Sequence, residues 1–517
     1  MRLSEIREKV LRNEWVLPSF QREFVWSEET KIIQFIESVF SEWPIGSIIL
    51  WTPNPNDSEI IKKRQLETSS SGKPQYLQEY IIDGQQRITT LLRILNNEPF
   101  VFSKGNEKKM CYDFSSKKFV FVEENNLPEN VILLGDLLTL SHSEIKRKLN
   151  AEELDYDVDD IIGEIKKIGN YDIAIQAPKK SISAKDAREL FIRLNTGGKA
   201  LTNVELALAY ISILWEESRE EFKSFRKTLE PTGFCFDLDF FVRCLSAISL
   251  KQGLTKKLIR SFESKNIKDD WEKTKSGIEK TIDFLKTTLY LSSNLFLEAE
   301  NTLVPIVLLF SEKESAARNK MNQLAYWFLI SYINSRFSGQ STSVLNYDID
   351  TIMISDDPIN ALIKNLEEEN NILITKPKDI KGDNFKFVLY CMFKALKTRD
   401  FVSGFGIDNL TASKTNRLDF HHIFADAILK KSAFKDEKEE IGNKTFLTNK
   451  SNKELSDADP TYLTEYPEKL LEAHLIPTKK ELWELDKYEE FLEERKKLIS
   501  EALNKFLNEL KTALPSS

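Results

Sequence analysis

The stretch Ile81-Ile82-Asp83-Gly84-Gln85-Gln86-Arg87-Ile88-Thr89-Thr90-Leu91 decides the fold of the first part of the chain. Its apolar start is typical of a buried strand, and the Asp-Gly pair is typical of a tight turn. A helix is predicted next, and the N–H groups at its start favour an anion. Gln85, Gln86 and Arg87 add donors that suit a phosphate or a nucleobase edge. A turn followed by a helix cap also explains Asp83 and Gly84 without any ligand.

Two other segments share this mixture of polar and apolar residues. They are Leu17-Pro-Ser-Phe-Gln21-Arg22-Glu-Phe-Val-Trp26 and Leu190-Phe-Ile-Arg193-Leu-Asn195-Thr-Gly197-Gly198-Lys199-Ala-Leu-Thr202. In all three segments an arginine stands close to an amide side chain and among residues typical of a core. A half-buried arginine needs a partner, and a phosphate ligand is one candidate. The Gly-Gly-Lys sequence suits a second anion-binding loop, but its spacing is not that of a Walker A motif.

Length and composition limit the possible classes of protein. The chain has 517 residues, whereas single cores stop growing at about 250–300 residues, so two or three domains are expected. Hydrophobic residues make up 41% and charged residues 30%, which excludes collagen-like, low-complexity and wholly disordered chains. The net charge of −8 gives no overall basic signature, so binding to a nucleic acid needs a local basic surface.

Cysteine spacing and apolar runs predict the compartment. The four cysteines form no CxxC pair, which argues against a zinc ribbon or a disulfide scaffold and fits a reducing cytoplasm. The N-terminus lacks the apolar stretch of a signal peptide. No apolar run approaches the ~20 residues that cross a bilayer. We therefore expect a cytoplasmic protein with no membrane partner.

The spacing of apolar residues changes near residue 204. Before it, strands are expected at 47–51, 79–83, 100–102, 118–122 and 171–175, with helices between them. After it, helical spacing prevails over 204–229, 236–252, 266–292, 298–336, 357–370 and 384–397. A charged amphipathic helix ends the chain, and we expect it to pack on the preceding domain because Arg495 and Lys496 interrupt its apolar seam. The sequence thus predicts a mostly helical α+β protein.

A second group of polar residues lies near the C-terminus, in Leu418-Asp-Phe-His421-His422-Ile-Phe424 and Ile441-Gly442-Asn443-Lys-Thr-Phe-Leu-Thr448-Asn449-Lys-Ser-Asn452-Lys453. Neighbouring side chains of a strand point to opposite faces, so His421 and His422 could share one face only if the strand ended there. Hydrolysis of a phosphodiester by one metal needs a base for water, and a neutral imidazole suits that task. A histidine nitrogen and an asparagine oxygen form a plausible ligand pair; Mg²⁺ prefers oxygen ligands, and Mn²⁺ or Ni²⁺ tolerates the imidazole better. A surface histidine pair beside an asparagine-rich loop explains the same residues without chemistry. The two other histidines, His142 and His474, are expected on the surface or in packing.

The three N-terminal segments occur in the order seen in the GmrSD family of modification-dependent restriction enzymes. The chain resembles the N-terminal domain of that family over roughly residues 5–210. This resemblance implies a ParB/sulfiredoxin-like α+β fold with an Asp-Gly-Gln-Gln-Arg signature. It also implies binding and hydrolysis of a nucleoside triphosphate, with Asp83 and Arg87 as catalytic residues. The nucleotide-binding candidates are Gln21, Arg22, Asp83, Gly84, Gln85, Gln86, Arg87, Arg193 and Asn195.

The C-terminal segments resemble an HNH, or ββα-metal, nuclease domain, in particular the C-terminal domain of the same family. By position, His422 matches the general base and Asn443 the residue that orients it. His421 and Asn452 match the metal ligands, and Asn449 competes with Asn452 for the distal position.

The resemblance implies a modification-dependent DNA endonuclease of phage defence. Its cofactors would be Mg²⁺ or Mn²⁺ and a nucleoside triphosphate, and its partner modified phage DNA. The sequence leaves open whether the mark is a glycosylated base or a phosphorothioate, which nucleotide is preferred, how the DNA is cut, and whether a homo-oligomer forms. Two alternatives remain: a nucleotide-regulated DNA-binding module with a degenerate HNH centre, and a nucleotidase with a structural C-terminus. Ala425 supports the first alternative, because the family usually has a turn-shaping proline there.

These assignments divide the chain into a nucleotide-binding domain (1–210), a helical connector (211–400) and an HNH nuclease domain with the C-terminal helix (401–517). Residues 376–399 carry seven lysines or arginines against two aspartates, so they are the candidate phosphate-contacting stretch. A solvated helix face explains that surplus almost equally well.

Overall fold

The computed structural model describes residues 1–18, 21, 24–53, 63–64, 78–102, 106–123, 127–149, 157–179, 182–196, 202–215, 217–255, 258–262, 266–294, 296–297, 299–337, 341–368, 383–407, 418–455 and 457–513. Two compact units are present, Met1–Arg219 and Glu220–Ser517. The division into three domains stays a prediction. No helix in the described ranges is long and apolar enough to cross a membrane.

The first unit contains strands and helices in alternation. Its elements are α1 (Leu3–Leu11), β1 (Trp15–Pro18), α2 (Glu29–Phe40), β2 (Ile48–Trp51), β3 (Lys63–Arg64), β4 (Glu79–Asp83), α3 (Gln85–Leu95), β5 (Phe100–Val101), β6 (Glu107–Asp113), β7 (Lys118–Val122), β8 (Val131–Leu133), α4 (Leu134–Thr139), α5 (His142–Lys148), α6 (Asp157–Lys166), β9 (Ile175–Gln176), α7 (Ala184–Thr196) and α8 (Asn203–Leu214).

Strand β4 is the centre of a five-stranded sheet with the order β3-β1-β4-β2-β9. It runs parallel to β1 and antiparallel to β2. Its residues Tyr80, Ile81 and Ile82 are buried, as are Ile88 and Leu91 on the following helix α3. This burial explains why the apolar run ends at Asp83, where the chain reaches the edge of the core. A second sheet has the order β5-β6-β7, with β8 also paired to β6.

The second unit is mainly helical. Its elements are α9 (Ser218–Leu229, which begins at the unit boundary), α10 (Leu238–Leu250), α11 (Ile267–Thr288), α12 (Val304–Glu312), α13 (Glu314–Asn319), α14 (Met321–Ile333), α15 (Ser341–Ile354), α16 (Pro358–Glu368), α17 (Asp383–Ala395), β10 (Leu418–His422), α18 (Asp426–Leu429), β11 (Lys444–Thr448), α19 (Asn449–Glu454), α20 (Glu468–Ala473) and α21 (Tyr488–Thr512). Helices α12 and α14 are buried on nearly all sides, which their almost continuous apolar sequences require.

Near the C-terminus, β10 and β11 form an antiparallel pair, and α19 begins directly after β11. The chain between α19 and α21 joins the same core, which includes Ile423, Leu447, Tyr462 and Trp483. The mostly helical α+β composition predicted from the sequence is confirmed. One strand prediction was imprecise. A strand was expected at 171–175, but the observed strand is Ile175–Gln176, and a helical turn at Lys167–Asn170 ends directly before the expected start.

Candidate functional site

The turn between β4 and α3 depends on a glycine. Gly84 has φ +100° and ψ 0°, in the left-handed region that favours glycine. A Cβ atom at this position would lie 2.9 Å from Cγ1 of Ile48 on β2. The turn therefore brings the start of α3 close to the sheet and leaves the first N–H groups of α3 without a side-chain cap from Gly84.

Asp83 and Arg87 form an ion pair across this turn. The Nη2 atom of Arg87 donates to Oδ2 of Asp83 at 2.8 Å, and its Nη1 atom donates to the carbonyl of Ile45 at 2.9 Å. Gly46 has φ +86°, and a Cβ there would collide with the guanidinium of Arg87. The arginine thus joins the turn to the loop before β2, and a phosphate ligand would have to share or replace these partners.

Gln21 and Gln86 also contact backbone near the turn. Gln86 accepts a hydrogen bond from the N–H of Val25 at 2.8 Å. The buried amide of Gln21 donates to the carbonyl of Ile82 at 2.9 Å and to that of Ile81. Its Oε1 atom is buried and has no hydrogen-bond partner in the described part of the chain. A buried acceptor without a donor costs about 1–3 kcal/mol, so this oxygen is a candidate contact for a ligand.

The third N-terminal segment is described only in part. Arg193 is exposed on α7 and forms an ion pair with Glu189 at 3.0 Å, one turn earlier. Helix α7 packs against β4, the strand that ends at Asp83. Arg22, the side chain of Asn195 and the Gly-Gly-Lys sequence at 197–199 lie outside the described residues.

The C-terminal element consists of β10, β11 and α19, within residues 418–454. Strands β10 and β11 place His421 opposite Thr445 and His422 opposite Lys444. Thr448 at the end of β11 caps α19 by accepting the N–H of Ser451 at 3.1 Å. The order strand, strand, helix is therefore present, with Asn452 on the helix beside β10. The two histidines differ in burial: His421 is 2% exposed, whereas a quarter of the His422 side chain is exposed.

His421 lies between two polar side chains. Its Nδ1 atom is 2.8 Å from Oδ1 of Asn452, and its Nε2 atom is 3.1 Å from the hydroxyl of Tyr462. Burial lowers the pKa of His421 to about 4, so the imidazole is neutral at physiological pH, as a metal ligand must be. Of the two competing asparagines, Asn452 brings its amide oxygen to this histidine.

Asp419 connects both asparagines. Its Oδ2 atom accepts Nδ2 of Asn449 at 2.7 Å and Nδ2 of Asn452 at 3.1 Å. Asp419 lies two residues before His421 and therefore on the same face of β10. Sequence reasoning did not single out Asp419, although this i, i+2 spacing was visible.

His422 lies beside a carboxylate and a lysine. Its Nε2 atom is 3.4 Å from Oε1 of Glu439, a contact that lacks hydrogen-bond geometry. Glu439 also pairs with Lys444 at 2.5 Å. Burial and the charge of Lys444 lower the pKa of His422, and Glu439 opposes them. The net effect favours the neutral imidazole, the form in which a general base acts.

Asn443 stabilises the backbone that follows His422. It is fully buried, and its amide accepts the N–H of Phe424 at 2.8 Å and donates to the carbonyl of the same residue at 3.1 Å. Its own carbonyl accepts the N–H of Ile423 at 2.7 Å. Ala425 has φ −55°, within the range that proline imposes, so a proline at this position would keep the same backbone φ.

Three further buried groups hold this element in place. Asp400 accepts the N–H groups of Ser403 and Thr448, and these bonds outweigh burial and lower its pKa. His474 bonds the hydroxyl of Thr445 and the carbonyl of Arg399, both at 2.7 Å. Arg495 on α21 donates to the carbonyl of Gly442, just before Asn443, at 2.7 Å. The sequence placed Arg495 on this helix but not in the core, because its partners lie far away along the chain.

The candidate basic stretch is described only from residue 383 onward. Lys386 lies over the rings of Phe296 and of Phe420 on β10, and Lys444 also lies over Phe420. Lys394 is buried. The described part therefore brings one lysine of the stretch, Lys386, to the face of β10 that carries His422.

His421 and Asn452 are the two residues that could bind a metal ion together. The described residues contain no group of three or more His, Cys, Asp or Glu that would hold a metal. Two neighbouring ligand atoms of an octahedral ion at about 2.0–2.1 Å lie about 3 Å apart. The observed 2.8 Å between His421 Nδ1 and Asn452 Oδ1 agrees with that separation, so these residues fit a two-ligand site completed by water and substrate oxygens.

Comparison with known proteins adds an independent finding. The chain is 22% identical to an uncharacterized protein of Methanocaldococcus jannaschii, over 89% of this chain and 85% of that protein. Residues 3–212 match the N-terminal domain of the GmrSD restriction endonucleases. The match covers less than half of the 517 residues, so the similarity to the GmrSD restriction endonucleases is established for this N-terminal part of the chain.

Proposed function

We propose that the protein is a modification-dependent DNA endonuclease of phage defence, in which the β10–β11–α19 element cleaves or nicks DNA. The observation that carries this proposal is the position of His421, His422 and Asn452: a neutral imidazole pairs with an amide oxygen, and a second histidine follows at a partly exposed position. Together with the N-terminal family match, this arrangement favours an HNH-type centre over a chance histidine pair.

His422 is the general base in this mechanism. Its lowered pKa keeps the imidazole free to take a proton from water at neutral pH. Glu439 stands at Nε2, where it favours a proton on that nitrogen and leaves Nδ1 to accept from water. Asn443 orients the base through the backbone of Ile423 and Phe424.

His421 and Asn452 would hold the divalent cation, Mg²⁺ or Mn²⁺. When bound, the cation would supply charge stabilisation at the scissile phosphate and the leaving oxygen. The mixed nitrogen and oxygen ligands favour Mn²⁺ over Mg²⁺. Lys386 and Lys444, next to Phe420 on the His422 face, are the described residues best placed to contact DNA phosphates.

The N-terminal unit binds and hydrolyses a nucleoside triphosphate in this proposal. The N-terminus of α3 after Gly84 favours a phosphate, and the buried Oε1 of Gln21 accepts a donor from the nucleotide. Asp83 and Arg87 are the catalytic pair, and Gln85, Gln86 and Arg193 are further nucleotide contacts. Nucleotide binding regulates cleavage of modified phage DNA in the cytoplasm.

The test uses purified full-length protein with Mg²⁺ or Mn²⁺ and each nucleoside triphosphate, on unmodified, glucosylated and phosphorothioate DNA. His422→Ala should lower cleavage by about 10²–10⁴-fold while DNA binding remains, as expected for loss of a general base. His142→Ala, which changes an exposed histidine of the other unit, is the matched control. The nuclease proposal fails if the wild-type protein cuts none of these substrates under any condition.

The nucleotide part of the proposal has its own test. Asp83→Asn keeps the side-chain shape but removes the charge, so nucleotide hydrolysis should fall while the N-terminal unit stays folded. Persistence of full hydrolysis in a folded Asp83→Asn protein would refute a catalytic role for Asp83. Cleavage of DNA without any nucleotide would show that the two activities are independent.

A further inference from the structure

The amide of Asn452 has one orientation because of Asp419. Nδ2 of Asn452 donates to Oδ2 of Asp419 at 3.1 Å. An ionised carboxylate only accepts hydrogen bonds, so the nitrogen of the amide faces Asp419 and the oxygen faces His421. The reverse orientation would place two acceptors against each other. Asp419 therefore determines which atom of Asn452 is offered to His421.

Tyr462 contacts the other side of the His421 ring. Its hydroxyl is 3.1 Å from Nε2 of His421 and 3.5 Å from the carbonyl of Ile423. A hydroxyl donates one hydrogen bond, and the carbonyl only accepts. Two arrangements of hydrogen atoms follow. In the first, Tyr462 donates to Nε2 and the proton of the ring is on Nδ1. In the second, Nε2–H donates to Tyr462, which donates to Ile423.

The two arrangements differ in what faces Asn452. In the first, Nδ1–H donates to the amide oxygen at 2.8 Å, which satisfies both groups. In the second, the lone pair of Nδ1 faces the amide oxygen, and two acceptors at 2.8 Å repel each other. A cation that contacts both atoms removes that repulsion. Only the second arrangement provides two ligand atoms.

We propose that Asp419 and Tyr462 are positioning residues that prepare His421 and Asn452 for a divalent cation. Asp419 fixes the amide oxygen, and Tyr462 accepts either tautomer of His421 by rotating its hydroxyl hydrogen between Nε2 and the Ile423 carbonyl. Cation binding would change the tautomer: Nδ1 would give its proton to water, Nε2 would take one from water, and no net proton would be released by this histidine. The inference rests on the proposed metal site of the nuclease.

The experiment uses the full chain with ¹⁵N-labelled histidine, which gives few signals because the chain has four histidines. The spectrum is recorded without metal and with Mg²⁺ or Zn²⁺, both diamagnetic, and His421→Gln assigns the signal. Without metal, the ring proton of His421 should be on Nδ1; with metal, it should be on Nε2. Binding of Mn²⁺, measured by electron paramagnetic resonance, gives the affinity.

Tyr462→Phe and Asp419→Ala should each weaken Mn²⁺ binding by about 10–100-fold, the usual effect of losing a residue that orients a ligand. Asp419→Asn should retain most of the affinity, because its amide oxygen still accepts Nδ2 of Asn452. Tyr466→Phe is the matched control, since Tyr466 is a neighbouring tyrosine whose ring packs on Tyr462 and Phe401. Circular dichroism verifies that each variant is folded.

The outcomes separate this inference from the proposed function. If the wild-type protein binds Mn²⁺ at His421 but folded Tyr462→Phe binds it equally well with the same tautomer change, the positioning role is wrong and the nuclease proposal stands. If Mn²⁺ does not affect His421 in the wild-type protein, the positioning inference is wrong, and the cleavage assay alone decides the nuclease proposal. If the metal binds tightly but the tautomer of His421 stays unchanged, the proposed tautomer change is wrong.

Discussion

The β4–α3 turn and the β11–α19 junction are both points where a strand leads into a helix beside polar residues, yet they are built differently. At the first, a glycine makes the turn, and Asp83 and Arg87 pair with each other near the surface. At the second, Thr448 caps the helix, and His421 and Asn443 are buried with hydrogen bonds on several sides.

This difference shows where functional groups are fixed before a ligand binds. In a buried network each polar atom requires a partner, so loss of one member leaves another unsatisfied. At a partly exposed turn, water replaces a lost partner at little cost. We therefore expect the C-terminal element to be rigid and sensitive to substitution. The N-terminal turn should tolerate side-chain changes but not changes at its glycine.

The largest expected effect is that of Asn443→Ala. Its amide bonds Phe424 twice and also donates to the carbonyl of Lys438, so the variant leaves buried backbone groups unsatisfied. A loss of about 3–4 kcal/mol in stability is expected for the second unit. Gln86→Ala is the matched change at the turn: it removes the hydrogen bond from Val25, and a bond of this kind contributes about 1 kcal/mol.

Hydrogen exchange measured by mass spectrometry reports both regions in one experiment. Peptides from β10 and β11 should lose protection in Asn443→Ala, and peptides from β4 and α3 should change little in Gln86→Ala. Equal effects of the two substitutions would remove the distinction between the buried network and the exposed turn.

The second largest expected effect is the loss of stability of the C-terminal element as the pH falls. Burial lowers the pKa of His474 to about 4 from its usual 6.5. The unfolded chain therefore binds a proton first as the pH falls. Stability is fully present above pH 6.5 and is lost as the pH falls toward 4, by about 3 kcal/mol for this histidine.

Protection of the β11 peptides at pH 7 and pH 4.5, corrected for the intrinsic exchange rate, measures this loss. His474→Gln has no titrating ring at this position, so it should reduce the difference between the two pH values even if it lowers stability at both. An unchanged pH dependence in His474→Gln would assign the acid sensitivity to other groups.

Gly84→Ala should destabilise the N-terminal unit by about 2 kcal/mol. The φ of +100° costs a residue with a Cβ about 1–2 kcal/mol, and the Cβ would also press on Ile48. Gly163→Ala is the control, because Gly163 lies inside α6 with open space at its Cβ position, and this change should stabilise the unit by about 0.5–1 kcal/mol. Thermal unfolding of both variants measures the contrast, and a stable Gly84→Ala protein would contradict the left-handed turn.

The two regions also differ in how much of their structure could be predicted from the sequence. The strand and helix around Gly84 were predicted correctly, because their apolar spacing and the Asp-Gly pair are local signals. The short strand β1 was not predicted, since Trp15–Pro18 gains its conformation by pairing with β4 more than sixty residues later. At the C-terminal element the sequence indicated His421 and Asn452. It did not indicate Tyr462, Asp400 or Arg495, whose contacts depend on tertiary packing between distant segments.

The smallest expected effect is that of Ala425→Pro, and it tests the loop that follows His422 in the C-terminal element. Ala425 already has a φ of −55°, so proline fits the native backbone and restricts the unfolded chain. We expect stability to rise by about 0.4–1 kcal/mol and DNA cleavage to remain unchanged, because Asn443 already holds the preceding residue, Phe424. Thermal unfolding and the cleavage assay measure the two quantities. A large gain in cleavage would show instead that the loop after His422 is not properly set with alanine, and a loss of stability would show that the backbone N–H of Ala425 is needed.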